Sequence, residues 1–183
     1  MYGLVNRSIA HWVTQEFGES AWAAIRSKAE PLPIFFSTFE NYSDDITFRI
    51  VQAASEQLNL PVETVLERLG EGWIPYAESE GMGDILSILG RNVFGCLQRM
   101  DELHERVRLM MPDLSPPAFR CEILDERRAL VKYWSHRKGM GPFVVGLLHG
   151  LGGWCGQKVK VEEVSKRTTI SDCDTYQITL LGN

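Results

Sequence analysis

This sequence has no long apolar run. Its longest, around 143–148, falls far short of the roughly 20 residues a membrane-spanning helix needs. Nor does it start like a secreted chain: Met1-Tyr2-Gly3-Leu4-Val5-Asn6-Arg7 lacks a charged start followed by an apolar core. An excess of positive charge is also missing. Nineteen Lys and Arg stand against 24 Asp and Glu, for a net charge of −5 and a pI near 5.4. A nucleic-acid-binding surface usually shows a basic patch, so that class is disfavoured. The expectation is a cytoplasmic protein with no membrane or nucleic-acid partner. Cysteine is sparse, and the four present (Cys96, Cys121, Cys155, Cys173) form no C-x-x-C pair. They read as a reduced, mostly buried set. A zinc site assembled from distant Cys and His gains nothing from this spacing. There is no internal repeat and no low-complexity segment.

What is present is a chain of 183 residues, enough for one domain with a sizeable core. Apolar residues recur at helical spacing over 2–17 (Leu4, Val5, Ile9, Trp12, Val13, Phe17), and Gly18 is a stop. A short helix over 20–29 ends before Pro31 and Pro33. Ser43 or Asp44 can cap a helix running to about Leu58. Pro61 suits the first turn of the next helix, which Gly70-Glu71-Gly72-Trp73 is expected to break. Gly81 and Gly83 mark a turn, and a helix follows over 92–110 until Pro112, Pro116 and Pro117 forbid it. The pattern then changes to strands at 119–124 and 129–136, a helix at 141–155, and strands at 159–164 and 176–181. The predicted class is α+β: a helical N-terminal part and a C-terminal antiparallel sheet with one inserted helix.

Tyr133-Trp134-Ser135-His136-Arg137 ends the second predicted strand. Side chains on a strand alternate between faces, so Tyr133, Ser135 and Arg137 should share one. Two hydroxyls and a guanidinium together grip carboxylates or phosphates. Upstream, Leu97, Met100, His104, Val107 and Met111 fall on one face of the 92–110 helix, opposite Gln98, Arg99, Glu102, Arg106 and Arg108. His104 is the polar member of an apolar stripe. Such a histidine is either a hydrogen-bonded core residue or a ligand. Combined with an anion grip, it suggests a haem, with propionates on one and iron on the other. His11 reads as exposed, and His136 as pointing away from the trio. His149 is polar at a helix end or a second axial ligand.

These residues resemble those of the H-NOX domains, which bind haem and sense nitric oxide or oxygen and are related to the haem domain of soluble guanylate cyclase. The family's Y-x-S-x-R motif is matched by Tyr133, Ser135 and Arg137, its proximal histidine by His104 in Met100-Asp101-Glu102-Leu103-His104, and its double proline by Pro116-Pro117. Met1-Tyr2-Gly3-Leu4-Val5-Asn6 and Gly146-Leu147-Leu148-His149-Gly150 are also similar, so the resemblance spans essentially the whole chain.

The resemblance implies haem b (iron protoporphyrin IX) with His104 as axial ligand and metal site, and Tyr133, Ser135 and Arg137 on the propionates. It implies that Pro117 presses on the porphyrin, that Val107 also belongs to the cofactor-binding set, and that Asp44 pairs with Arg137. It implies one domain over 1–183, with 1–60 a helical distal subdomain packed over the haem and 61–183 a proximal subdomain with the sheet. Val5, Ile9, Trp73, Phe143 and Leu147 should line the distal side. Oxygen-binding members place a tyrosine where Phe143 aligns; a one-residue shift would put Pro142 or Val144 there, and none of the three carries a donor. Trp73 either donates its indole N–H or packs flat against the haem.

The expected function is therefore a gas sensor, not an enzyme, binding nitric oxide and carbon monoxide at ferrous iron with little stable oxygen binding. With the chain ending at Asn183, its output is expected to pass to a separate histidine kinase or diguanylate cyclase/phosphodiesterase. The alternatives are a haem enzyme (a peroxidase or nitric oxide dioxygenase), which needs distal acid–base groups, and a cysteine-based redox sensor.

Overall fold

A computed structural model describes residues 1–168 and 171–182. The architecture is α+β, as the patterning predicts. Helices α1 (Gly3–Phe17), α2 (Glu19–Lys28) and α3 (Asp44–Leu58) build the first part. Gly18, at φ 86°, separates α1 from α2. The Ser43 hydroxyl accepts the Asp45 N–H at 3.3 Å, and Asn59 closes α3 in the left-handed conformation. None of the described helices is long and apolar enough to cross a membrane.

Helix α4 (Val62–Ala77) corrects the expected break at 70–73: the helix runs straight through both glycines. The reason is tertiary. α4 packs along α8 (Gly141–Trp154), and the two backbones come too close for side chains. A Cβ on Gly70 would lie 2.1 Å from the Phe143 carbonyl oxygen, and one on Gly146 would lie 1.9 Å from that of Glu67. Glycine here permits helix contact rather than ending a helix. Beyond α4, a wide turn over Glu78–Met82 pivots on Gly81 (φ 92°), where the sequence predicts a turn.

After α5 (Gly83–Ser87), the single helix expected over 92–110 is two: α6 (Val93–Gln98) and α7 (Met100–Met110). The chain leaves helical geometry at Arg99 (φ −101°, ψ 6°). The Arg99 guanidinium donates to the Ile88 carbonyl at 2.9 Å, anchoring the break to the end of the preceding segment. No proline or glycine marks that break in the sequence.

Strands β1 (Ala118–Ile123), β2 (Arg128–Trp134), β3 (Val159–Ser165) and β4 (Asp174–Leu180) form one antiparallel sheet in the order β1-β2-β4-β3. Asp125 closes the β1–β2 turn by accepting the N–H groups of Arg127 and Arg128 at 2.9 and 2.8 Å. Ala129, Val131 and Tyr133 face inward and pair across with Ile178, Tyr176 and Asp174.

Two apolar clusters fill the interior. One gathers Ile9, Val13, Ile25, Ile50, Val65, Leu66 and Leu69, chiefly from α1–α4. The other joins Ile74, Leu97, Met100, Leu103, Val144, Leu148 and Leu151 to Phe119, Val131, Tyr133, Tyr176 and Ile178 of the sheet. Helix α4 contributes to both, since it is buried at Val65, Leu66 and Leu69 and again at Ile74, Tyr76 and Ala77.

Candidate functional site

Strand β2 ends at Trp134, so strand alternation cannot bring Ser135 and Arg137 to the face of Tyr133. Pairing with β4 stops at Tyr133–Asp174, and pairing with β1 reaches only Ala118–Trp134; beyond this no partner holds the chain extended. A local turn does the converging instead. The Arg137 N–H donates to the Ser135 hydroxyl at 3.1 Å. Tyr133, almost fully buried, is hydrogen-bonded with Ser135. Burial pushes the phenol above its usual range, against the pull of Ser135, Arg167 and Arg137, so it stays a neutral donor.

Arg137 Nε donates to Asp44 Oδ2 at 2.8 Å and Nη1 to the Ser115 carbonyl at 3.2 Å. Neither contact engages Nη2. The Met1 amino group sits 2.6 Å from Asp44 Oδ1. Burial raises the Asp44 carboxyl, but hydrogen bonds from that amino group and from Arg137 outweigh it and hold the group below the usual carboxylate range. The pairing of Asp44 with Arg137 is thus present in the fold.

Two residues of this cluster lie outside the sequence-predicted set. Arg167, just past β3, donates to the Ser135 carbonyl at 2.5 Å and the Arg137 carbonyl at 3.4 Å, while its Nη2 sits 2.9 Å from Asp174 Oδ2. Asp174 Oδ1 also accepts the Arg167 N–H at 2.7 Å. The motif's loop is therefore fastened from below by an ion pair that is largely out of water. Nothing in spacing points to Arg167. Only the register opposing Tyr133 to Asp174 reveals it.

His104 is half-buried on α7, its Nδ1 shielded from water and lacking a well-formed hydrogen bond, with the Pro117 backbone opposing the effect of burial on the ring. Burial pushes the imidazole below its ordinary range, with Asp101 opposing and Arg108 adding to it. A neutral ring keeps a lone pair for coordination. Its centroid lies 6.2 Å from Phe119, which lies 5.2 Å from Tyr133, so an aromatic row links α7 to the motif through β1. Val107, one turn on, and Leu114 pack against the sheet cluster, and Pro117 is half-buried just before β1.

The remaining predicted residues sit at the margins of the two clusters. Val5 and Phe143 border the helical one; Trp73 and Leu147 border the other. Trp73 and Phe143 meet edge-on at 6.2 Å. Ile9 is wholly buried. His149 is not brought to this set: its Nδ1 lies 4.0 Å from Glu67 Oε1, on the α4–α8 surface. His11 and His136 are exposed. A half-buried neutral imidazole with a water-shielded nitrogen, apolar walls and a cationic grip for paired carboxylates fit a haem.

Comparison with known proteins agrees. The haem-NO-binding family model matches residues 2–163. Soluble guanylate cyclase gcy-31 of Caenorhabditis elegans is 26% identical over 151 residues, covering 82% of this chain and 22% of that protein. Soluble guanylate cyclase 89Da of Drosophila melanogaster is 23% identical over 172 residues, covering 93% of this chain and 26% of that protein. The chain thus spans about a quarter of the length of these relatives. Among solved structures, an H-NOX protein from S. oneidensis in its Fe(II)NO ligation state superimposes with a TM-score of 0.87, at 22% identity and full coverage of both chains. A mutant of an S. oneidensis H-NOX protein in the Fe(II) state gives 0.90 at 20% identity, covering 100% of this chain and 97% of the other. Those structures share the fold, and the family match covers most of the sequence: the chain belongs to the haem-NO-binding, or H-NOX, family.

Proposed function

We propose that this domain holds haem b and senses nitric oxide, and also carbon monoxide, with little stable oxygen binding. In this reading His104 would ligate the iron, and Tyr133, Ser135 and Arg137 would hold the propionates. Val107 and Pro117 pack on the His104 side, and Val5, Trp73, Phe143 and Leu147 wall the opposite side. Held there, the haem would supply a ferrous iron able to take a diatomic gas. The chain's own residues exclude water, orient the imidazole and neutralise the carboxylates. Dioxygen needs a hydrogen-bond donor beside it, and Phe143 offers none.

The observation that carries this reading is the half-buried His104 ring with its water-shielded Nδ1, in an aromatic row with the motif tyrosine. The signal passes to a separate effector, a histidine kinase or a diguanylate cyclase/phosphodiesterase. Leu109, 84% exposed, and Met110 stand on the helix that carries His104, apolar surface of the kind partner interfaces cover. A peroxidase or dioxygenase would need an acid–base group in the pocket, and His149 lies beside Glu67 instead.

Absorption spectroscopy of the purified, haem-loaded ferrous protein tests the reading. Nitric oxide should shift the main haem band, and His104→Gly should lose the haem unless free imidazole is added. Failure to retain haem, or a spectrum indifferent to nitric oxide, overturns it.

A further inference from the structure

We infer that Cys96 and Cys155 form a second input: an oxidation site at which a hydroperoxide converts two thiols to a disulfide that fastens α6 to the end of α8. The two sulfurs lie 3.7 Å apart. A disulfide bond is about 2.05 Å long, so closure needs an approach of about 1.7 Å, within the reach of side-chain rotation. Their backbones are already braced against each other. The Val93 N–H donates to Gln157 Oε1 at 2.9 Å, and Arg91 Nη1 donates to the Trp154 carbonyl at 2.9 Å with its guanidinium over the Trp154 ring. Gly156, at φ 68°, and the exposed Gly153 flank Cys155, giving that end of α8 room to adjust. Among the described residues no group of three or more His, Cys, Asp or Glu gathers to hold a metal ion, so no third ligand joins the pair.

The two thiols differ in ways that order the chemistry. Cys155 is partly exposed and meets the oxidant; Cys96 is fully buried behind it. The hydrogen bond with Cys155 holds the Cys96 thiol below its usual range against the opposing effect of burial, with help from the Asn92 backbone, Arg91 and Arg99. In the first step Cys155, whose thiol is pushed up by its hydrogen bond with Cys96 and by burial, attacks one peroxide oxygen with its sulfur and passes its proton to the departing oxygen. The O–O bond breaks, an S–O bond forms, and water (or an alcohol) leaves. In the second step the Cys96 sulfur attacks the Cys155 sulfur. The S–S bond forms, the S–O bond breaks, and hydroxide takes the Cys96 proton to leave as water. The peroxide accepts two electrons, one from each thiol.

The consequence follows from connectivity. α6 runs through the anchored break at Arg99 into α7, which carries His104, whereas α8 carries Phe143 and Leu147. The disulfide therefore ties the element leading to His104 to the helix on the other side of the pocket. This second half rests on the proposed haem reading; the oxidation itself does not.

The haem-loaded protein is treated with dilute hydrogen peroxide and analysed by intact mass and peptide mapping, and nitric oxide dissociation is followed before and after. The expected result is loss of two hydrogen atoms per chain, a Cys96–Cys155 linked peptide, reversal by dithiothreitol, and a several-fold change in dissociation rate. The change should be absent in Cys155→Ser and retained in Cys121→Ser. A linkage through Cys121 or Cys173, or over-oxidation of Cys155 without linkage, overturns the site. Linkage with an unchanged dissociation rate overturns the coupling. Mapping on haem-free protein reads the site even where the haem assignment fails.

Discussion

Arg137 Nε lies 2.8 Å from Asp44 Oδ2, joining the loop after β2 to the first turn of α3. This one contact connects the N-terminal helices to the motif that grips anions. It also carries a charge-dependent share of the stability.

Asp44→Asn should lower stability by about 1.5–3 kcal/mol near neutral pH, the range for a hydrogen bond to a charged group. The sign of the pH dependence follows from the depressed carboxyl of Asp44. An unfolded aspartate titrates near about 3.9, so the contribution is fully present above that pH and is lost as pH falls through the lower folded value. Thermal unfolding of both proteins between neutral and acidic pH should show their midpoints converging below about pH 4. A constant gap down to the acid limit would mean that Asp44 acts through packing alone.

Arg167→Ala should be more damaging, because it leaves the buried Asp174 carboxylate without its cation. Breaking a pair of this kind costs about 3–5 kcal/mol. The double variant with Asp174→Asn should recover part of the loss, and urea unfolding of the four proteins in the cycle measures the coupling. Strict additivity would show that the two residues do not act as a unit.

Glycine substitutions on α4 and α8 should divide sharply. Gly146→Ala drives a methyl into the Glu67 backbone at 1.9 Å, where only a shift of a whole helix can relieve it. A loss of at least about 1–3 kcal/mol is expected. Gly72→Ala meets nothing within 4 Å and should stabilise the helix by about 0.5–1 kcal/mol. Denaturant midpoints read both, and similar effects at the two positions would contradict the close packing of α4 on α8.

Phe143→Tyr adds a hydroxyl at a wall position of the proposed pocket where Phe143 offers no donor. The ferrous variant should show stable oxygen binding in air, visible as a shifted absorption spectrum, where the parent protein should not. An unchanged spectrum in air would remove Phe143 from the gas-binding side.

Hydrophobic periodicity and the chemistry of single residues were enough, in the sequence alone, to place most helices and strands, the α+β class, the His104 stripe and the identity of the motif residues. Those signals are local, since burial imposes period 3.6 or 2 on neighbouring residues. Features that depend on what lies opposite were hidden. Gly70 looks like part of a helix break until α8 is seen lying against it. The break at Arg99 depends on a carbonyl eleven residues earlier. Ser135 and Arg137 share a site with Tyr133 through a turn fastened by Arg167 and Asp174, not through strand alternation. The Cys96–Cys155 contact joins segments that no spacing rule connects. The sequence carried the types of group the site needs; which of them meet was decided only when distant backbones packed, because hydrogen bonds and sulfur contacts act over a few ångströms in space and have no period along the chain.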